Sequence, residues 1–140
     1  LYAIVITAIC ATLTSLIWIE AASADGNGEL TFVEVRKDGD AGVDGLGGGD
    51  AVTVSPDGKH LYTAGPGENS VAVFSRASTT GELAFVEFEK DDVGGVDGLN
   101  GATSVTVSPD GKHVYVASFE NMAAAFSRNQ STSKLTFVES

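Results

Sequence analysis

The stretch Val-Thr-Val-Ser-Pro-Asp-Gly-Lys-His occupies residues 52–60 and returns unchanged at residues 105–113. In each copy, the turn Ser-Pro-Asp-Gly joins an apolar run to a second run that begins at His60 or His113. Proline suits the second position of a type I turn, and the glycine closes it. The stretch therefore predicts a tight antiparallel hairpin that the chain builds twice.

Two further motifs repeat around this hairpin and define a larger module. Val-Ala-Val-Phe-Ser-Arg begins at residue 71 and returns as Ala-Ala-Ala-Phe-Ser-Arg from residue 123, and Leu-x-Phe-Val-Glu begins at residues 30, 83 and 135. The spacing gives a period of 52–53 residues. We place the repeats near 28–80 and 81–133, with a third beginning at 134. A fixed period of this length indicates a repeat architecture.

Each module holds four short strand candidates, which in the first module are residues 51–55, 60–64, 70–75 and 83–89. Four antiparallel strands in about 40 to 50 residues are typical of a propeller blade. The predicted fold is all-β: β-propeller blades of four antiparallel strands, with two complete repeats plus flanking strands. Propellers close with about four to eight blades. We therefore expect further blades in the same chain, or self-assembly, to complete this partial propeller.

The module resembles the lactonase-type β-propellers, a seven-bladed family that includes 6-phosphogluconolactonases, and the related YVTN-type propellers. The residues that carry the resemblance are the 52–60 stretch, the Leu-Tyr-Thr-Ala that follows it, and the Phe-Ser-Arg motif. The resemblance implies a propeller fold, and it makes lactone hydrolysis one activity to consider. It carries no catalytic residue onto this sequence, so whether the protein is an enzyme stays open.

The first 24 residues differ from the repeats and are predicted to be a signal peptide or an N-terminal anchor. Residues 1–19 are uncharged and mostly apolar, and Ala22-Ser23-Ala24 is a small-x-small cleavage pattern. An uncleaved anchor is the alternative, because the apolar run comes close to the roughly 20 residues that span a bilayer. The repeat region would then be residues 25–140. We expect a secreted, periplasmic or cell-surface protein that touches membrane only through this segment.

Charge and cysteine content narrow the function classes. The chain has 8 basic and 19 acidic residues and a formal net charge of −11, which argues against nucleic acid as a partner. Its single cysteine, Cys10, lies within the apolar leader, where a small packed side chain is the expected role.

The histidines and the turn aspartates are interpreted as structural. His60 and His113 hold the same position in both repeats, as do Asp57 and Asp110. A catalytic base is normally needed once, whereas a residue repeated in register serves the blade. We therefore predict no catalytic and no cofactor-binding residue in this segment.

The loop before the first hairpin carries four aspartates that could bind a metal: Asp38, Asp40, Asp44 and Asp50. Calcium prefers such oxygen ligands, although the spacing does not match an EF-hand. The other interpretation is a set of solvated loop carboxylates. Apart from calcium, no cofactor is expected.

The similarity of the repeats favours an exported binding or interaction scaffold, because an array of similar surfaces suits a protein or glycan ligand. Two alternatives stay open. One is a fragment of a lactonase-type hydrolase, and the other is a structural repeat protein stiffened by calcium. An enzyme is expected to break the repeat at one asymmetric site.

Overall fold

Eight short strands form the fold of the part of the chain that the computed structural model describes, residues 30–140. The expectations for the leader, its cleavage pattern and Cys10 fall outside those residues. The strands are β1 (Ala51–Val54), β2 (His60–Gly65), β3 (Ser70–Arg76), β4 (Leu83–Lys90), β5 (Ala102–Val107), β6 (His113–Ser118), β7 (Ala123–Arg128) and β8 (Leu135–Glu139).

The strands form two sheets of four, in the orders β1-β2-β3-β4 and β5-β6-β7-β8. Every neighbouring pair is antiparallel. Each sheet is thus a meander of the kind that makes a propeller blade, and the predicted fold class is confirmed. Between residues 30 and 140, no helix is long and apolar enough to cross a membrane.

The predicted hairpin turn has the same hydrogen bonds in both sheets. The Gly58 amide donates to the Ser55 carbonyl at 2.8 Å, and Gly111 repeats this bond to Ser108 at 2.8 Å. Gly58 and Gly111 have φ of +70° and +71°, a conformation that glycine adopts without strain. The Pro-Asp-Gly sequence therefore sets the register of β1 with β2 and of β5 with β6.

The outer strand pairs share an irregularity at equivalent positions. The register shifts between Val73 and Phe74 in the first sheet and between Ala125 and Phe126 in the second. After the shift, Phe74 packs edge-on against Phe85 at a centroid distance of 5.6 Å. Phe126 and Phe137 repeat this contact at 5.7 Å. The Phe-Ser-Arg and Leu-x-Phe motifs are thus cross-strand partners within one blade.

The main hydrophobic core lies between the two sheets. It joins buried side chains of β2 and β3 to buried side chains of β5, β6 and β7, and β1 and β2 pack against β5. Its largest fully buried members include Tyr62, Phe126 and Leu99. A smaller cluster around Phe74 lies on the other face of the first sheet.

Of the two predicted flanking strands, one forms and the other does not. Residues 135–139 form β8 and complete the second sheet. Residues 30–34 have the same sequence pattern but form no strand. A strand needs a partner for its backbone groups, and within residues 30–140 no strand pairs with this segment. The sheets therefore run from β1 to β4 and from β5 to β8, offset from the repeat boundaries chosen by sequence.

Candidate functional site

The aspartate-containing loops before β1 and β5 are closed by their own carboxylates. In the first loop, Asp38 accepts a hydrogen bond from the Leu46 amide at 3.0 Å. In the second loop, Asp91 accepts from the Leu99 amide at 2.8 Å. Since the same bond recurs in both repeats, these carboxylates have at least a structural role.

Two of the four predicted metal ligands lie close together, with a third carboxylate that the sequence analysis missed. Asp38, Asp44 and Glu68 each offer an oxygen within 4.8 Å of the others. Asp40 and Asp50 are not part of this group. Glu68 reaches it from the β2–β3 connection, where its carboxylate accepts a hydrogen bond from the Gly47 amide at 3.1 Å. Calcium binding stays a prediction, and of its four predicted ligands the structure brings Asp38 and Asp44 together, beside Glu68.

A shallow cleft opens where this loop enters β1. Its volume is about 240 Å³, and it is lined by Leu46, Gly49, Asp50, Ala51, Val52 and Thr63. The Asp50 amide donates to the Ala64 carbonyl at 2.9 Å, which fixes the backbone beside the cleft, and the Asp50 residue is exposed. The Thr63 hydroxyl is buried and has no hydrogen-bond partner among the described residues.

The two polar residues of this cleft break the repeat. Asp50 corresponds to Thr103, and Thr63 corresponds to Val116, when the hairpins are aligned. The neighbouring Val52 and its counterpart Val105 are identical. At these two positions the first module thus carries a carboxylate where the second has the Thr103 hydroxyl, and the Thr63 hydroxyl where the second has a valine.

A polar cluster centred on Arg128 lies between the two sheets. The Arg128 guanidinium donates to the Tyr62 hydroxyl at 2.6 Å, to the Gly111 carbonyl at 2.7 Å and to the Asp57 carboxylate at 3.2 Å. One of its nitrogens lies 2.5 Å from Nδ1 of His60. The Arg128 side chain is fully buried, and these contacts join β7 to the first sheet.

Three members of the cluster have shifted pKa values: burial raises the pKa of Tyr62, and the pKa values of Asp57 and His60 are lowered. Partial burial tends to raise the pKa of Asp57, but hydrogen bonds from Ser55, the Lys59 amide and Arg128 outweigh it and lower that pKa to about 2. Burial and the Arg128 charge lower the pKa of His60. A neutral His60 can accept the Arg128 hydrogen bond at Nδ1, so the cluster is consistent with an ionised aspartate beside a neutral imidazole.

The geometry supports a structural role for this cluster. His60 is only 5% exposed, and its Nδ1 lies 2.5 Å from a nitrogen of Arg128, so its described contacts are those of a packed, hydrogen-bonded side chain. His60 and Asp57 were predicted from their repetition to be structural, whereas Arg128 was not among the predicted residues. The repeated Phe-Ser-Arg motif was the available signal.

Residues 14–93 match the protein family described as Lactonase, 7-bladed beta-propeller. No curated protein matches the chain.

Several solved structures share the fold. The periplasmic gluconolactonase of Pseudomonas aeruginosa matches with a TM-score of 0.65 and 26% identity, over 82% of this chain and 31% of that one. A candidate 6-phosphogluconolactonase of Bacteroides fragilis matches with a TM-score of 0.54 and 29% identity, over 64% of this chain and 24% of that one. A candidate 6-phosphogluconolactonase of Bacteroides uniformis matches with a TM-score of 0.57 and 28% identity, over 69% of this chain and 27% of that one. The chain spans less than a third of the length of each.

Proposed function

This chain belongs to the lactonase family of seven-bladed β-propellers, and from that membership we propose that it forms part of an enzyme that hydrolyses sugar lactones. The carrying observation is the family match over residues 14–93. The fold similarity to a periplasmic gluconolactonase over 82% of the chain supports the same proposal. Family membership favours this function over the non-catalytic scaffold that the similarity of the repeats suggested.

The proposed reaction opens a cyclic ester. The oxygen of water forms a bond to the ester carbonyl carbon, the bond from that carbon to the ring oxygen breaks, and the ring oxygen takes up a proton. The product is a hydroxy acid. A sugar lactone also carries several hydroxyl groups, so its binding site needs hydrogen-bond acceptors, and a carboxylate is the strongest of these.

We propose that the cleft at the start of β1 is the part of the substrate site that this chain contributes. Asp50 offers an exposed carboxylate there, and Thr63 lines the same cleft. Both residues depart from the repeat, as expected of a site that occurs once in a propeller. Asp50 would accept hydrogen bonds from sugar hydroxyls and orient the ring, which makes it a binding residue and not the nucleophile.

The experiment is an assay of D-glucono-1,5-lactone hydrolysis by the complete protein, followed as proton release and corrected for spontaneous opening. We expect hydrolysis above the spontaneous rate. Asp50→Asn should raise KM about tenfold, which corresponds to about 1.4 kcal/mol and is in the range of one charge-assisted hydrogen bond. Asp40→Asn, an exposed carboxylate of the same loop outside the cleft, is the matched control and should leave KM unchanged.

The outcomes test the lactonase function and the role of the cleft separately. The lactonase function is contradicted if the complete protein hydrolyses neither this lactone nor its 6-phosphate above the spontaneous rate. Hydrolysis with an unchanged KM in Asp50→Asn would leave the function standing and remove the role of the cleft.

We also propose that the protein is exported. The apolar run at residues 1–19 and the Ala-Ser-Ala pattern that follows support export, and the Pseudomonas protein of similar fold is periplasmic. N-terminal sequencing of the protein from its native host should begin at Asp25. A protein that keeps residues 1–24 would favour the anchor instead.

A further inference from the structure

The connection between β7 and β8 carries a modification motif. Asn129-Gln130-Ser131 has the form Asn-x-Ser/Thr with a residue other than proline in the middle, which is the acceptor motif for N-linked glycosylation. None of the other four asparagines of the sequence has serine or threonine two residues later. The motif directly follows the buried Arg128 and precedes the buried Leu135, so packed side chains fix its place in the fold from both ends.

The motif lies in a turn that holds the asparagine side chain by its oxygen. Oδ1 of Asn129 accepts hydrogen bonds from the Ser131 amide at 2.9 Å and from the Thr132 amide at 3.1 Å. Asn129 is exposed, and its Nδ2 donates to no other residue between 30 and 140. Because the glycosidic bond forms at this nitrogen, the turn presents the atom that reacts.

The first sheet shows that a turn at this position stays exposed beside a neighbouring sheet. Residues 77–79 are the counterparts of residues 129–131, and all three are exposed although the β5–β8 sheet packs against their own sheet. Residues 129–131 are themselves exposed although the β1–β4 sheet packs against theirs. A blade with neighbours on both sides therefore still presents this turn to solvent.

The two turns share their backbone hydrogen bonds. The Gly81 amide donates to the Ala77 carbonyl at 2.8 Å, and the Ser133 amide donates to the Asn129 carbonyl at 2.8 Å. Asn129 thus stands where the first module has Ala77, in a turn of the same shape. The modules differ here in the motif and not in the backbone.

The turn lies at the end of the sheets opposite the cleft. The cleft is at the start of β1, whereas Asn129 follows the end of β7. The neighbouring Gln130 donates to the Asp110 carbonyl of the β5–β6 turn at 2.8 Å, and Arg128 reaches Asp57 of the β1–β2 turn. These two turns mark the far end of β1 and β5, so a bulky group on Asn129 leaves the cleft open.

We propose that Asn129 carries an N-linked glycan, and this rests on the export proposed above. Nδ2 forms a bond to the anomeric carbon of a sugar whose leaving group is a pyrophosphate. The bond from that carbon to the pyrophosphate oxygen breaks, its electron pair leaves with the pyrophosphate, and Nδ2 loses one proton. A glycosyl pyrophosphate and a transferase of the host supply the sugar while the chain is exported.

Mass spectrometry of the protein from its native host is the test. The denatured protein is treated with a peptide-N-glycosidase in heavy-oxygen water and then with trypsin, which cleaves after Arg128 and Lys134 and releases residues 129–134. We expect the peptide to carry an aspartate labelled with heavy oxygen in place of Asn129. A parallel sample without the glycosidase measures spontaneous deamidation and should show no such label.

Two variants expressed in the same host separate the motif from its asparagine. Ser131→Ala keeps Asn129 but removes the hydroxyl that the motif requires, so the glycan should be lost completely. Ala77→Asn creates Asn-Ser-Thr in the equivalent turn of the first sheet and should add a second glycan. Both positions are exposed, and circular dichroism should show the wild-type fold in both variants.

Cell fractionation and N-terminal sequencing of the same sample tell glycosylation and export apart. An unmodified Asn129 in an exported chain that begins at Asp25 overturns the glycan and leaves export standing. An unmodified Asn129 in a chain that stays in the cytoplasm overturns both. A glycan that persists in Ser131→Ala, or an Ala77→Asn protein without a second glycan, contradicts the assignment to this turn. None of these results depends on lactone hydrolysis.

Discussion

At the scale of single residues, one buried arginine joins the two sheets. The Arg128 side chain is fully buried, and a buried charge is tolerated only when it is paired and hydrogen-bonded. It donates to a carbonyl of its own blade and to a hydroxyl and a carboxylate of the other. The cluster therefore joins the two sheets through directional hydrogen bonds in addition to the apolar core.

The same cluster predicts that stability falls on acidification in two ranges. His60 has a pKa lowered from 6.5, so its contribution is complete above about pH 6.5 and is lost as the pH falls from there through the folded pKa. Asp57 has its pKa lowered from 3.8 to about 2. Its contribution is complete above about pH 4 and is lost between about pH 4 and pH 2.

The measurement is urea denaturation at a series of pH values for wild type, His60→Gln and Asp57→Asn. His60→Gln should remove the pH dependence of stability in the upper range. Asp57→Asn should reduce the pH dependence in the lower range. The difference between wild type and each variant cancels the titration of the other carboxylates. A difference that does not change with pH would show that the cluster does not couple folding to protonation.

At the scale of structural elements, the Pro-Asp-Gly turns give a sensitive comparison between repeats. Gly58 and Gly111 have nearly the same φ, but a Cβ added at Gly58 would meet Arg76 Nη1 only at 3.9 Å. A Cβ at Gly111 would lie 3.1 Å from Nη1 of the buried Arg128. An alanine at either position would therefore have a strained backbone, but only an alanine at Gly111 would also crowd Arg128.

We expect Gly58→Ala to cost about 1 to 2 kcal/mol, the usual cost of the left-handed conformation for an L-residue. Gly111→Ala should cost about 1 to 3 kcal/mol more, because it disturbs hydrogen bonds of a buried charged group. Urea denaturation at pH 7 measures both. Equal losses in the two variants would mean that Arg128 can move without penalty.

Elements with local signals could be predicted from sequence, and contacts between elements could not. The Ser-Pro-Asp-Gly hairpins and all four strands of each blade follow from turn chemistry and period. The segment 30–34 has the sequence of a strand, but strand formation depends on a partner that sequence pattern does not supply. Glu68 was missed as a neighbour of Asp38 because it comes from a different loop, and such proximity arises only on folding.

At the scale of the whole molecule, the two sheets share one core and leave both outer faces uncovered by other sheets within residues 30–140. Repeat proteins gain stability from each module and from each interface between neighbours. The described residues form one such interface, between the β1–β4 sheet and the β5–β8 sheet. The stability of either sheet should therefore depend on side chains that lie between them.

Leu99 tests this dependence directly. It is fully buried in the core that joins the sheets, whereas its repeat counterpart Leu46 is only partly buried and belongs to the smaller cluster. We expect Leu99→Ala to lower the free energy of unfolding by about 2 to 5 kcal/mol. Leu46→Ala should cost less, because its side chain loses fewer contacts.

The decisive observation is which backbone amides exchange faster in Leu99→Ala. Leu99 precedes β5, so a local effect would speed hydrogen exchange of amides in the second sheet alone. Because the core is continuous, we expect amides of β2 and β6 to exchange faster together in Leu99→Ala, and by the same factor if the sheets open as one unit. Faster exchange in β6 with unchanged exchange in β2 would show instead that each blade is stable without its neighbour.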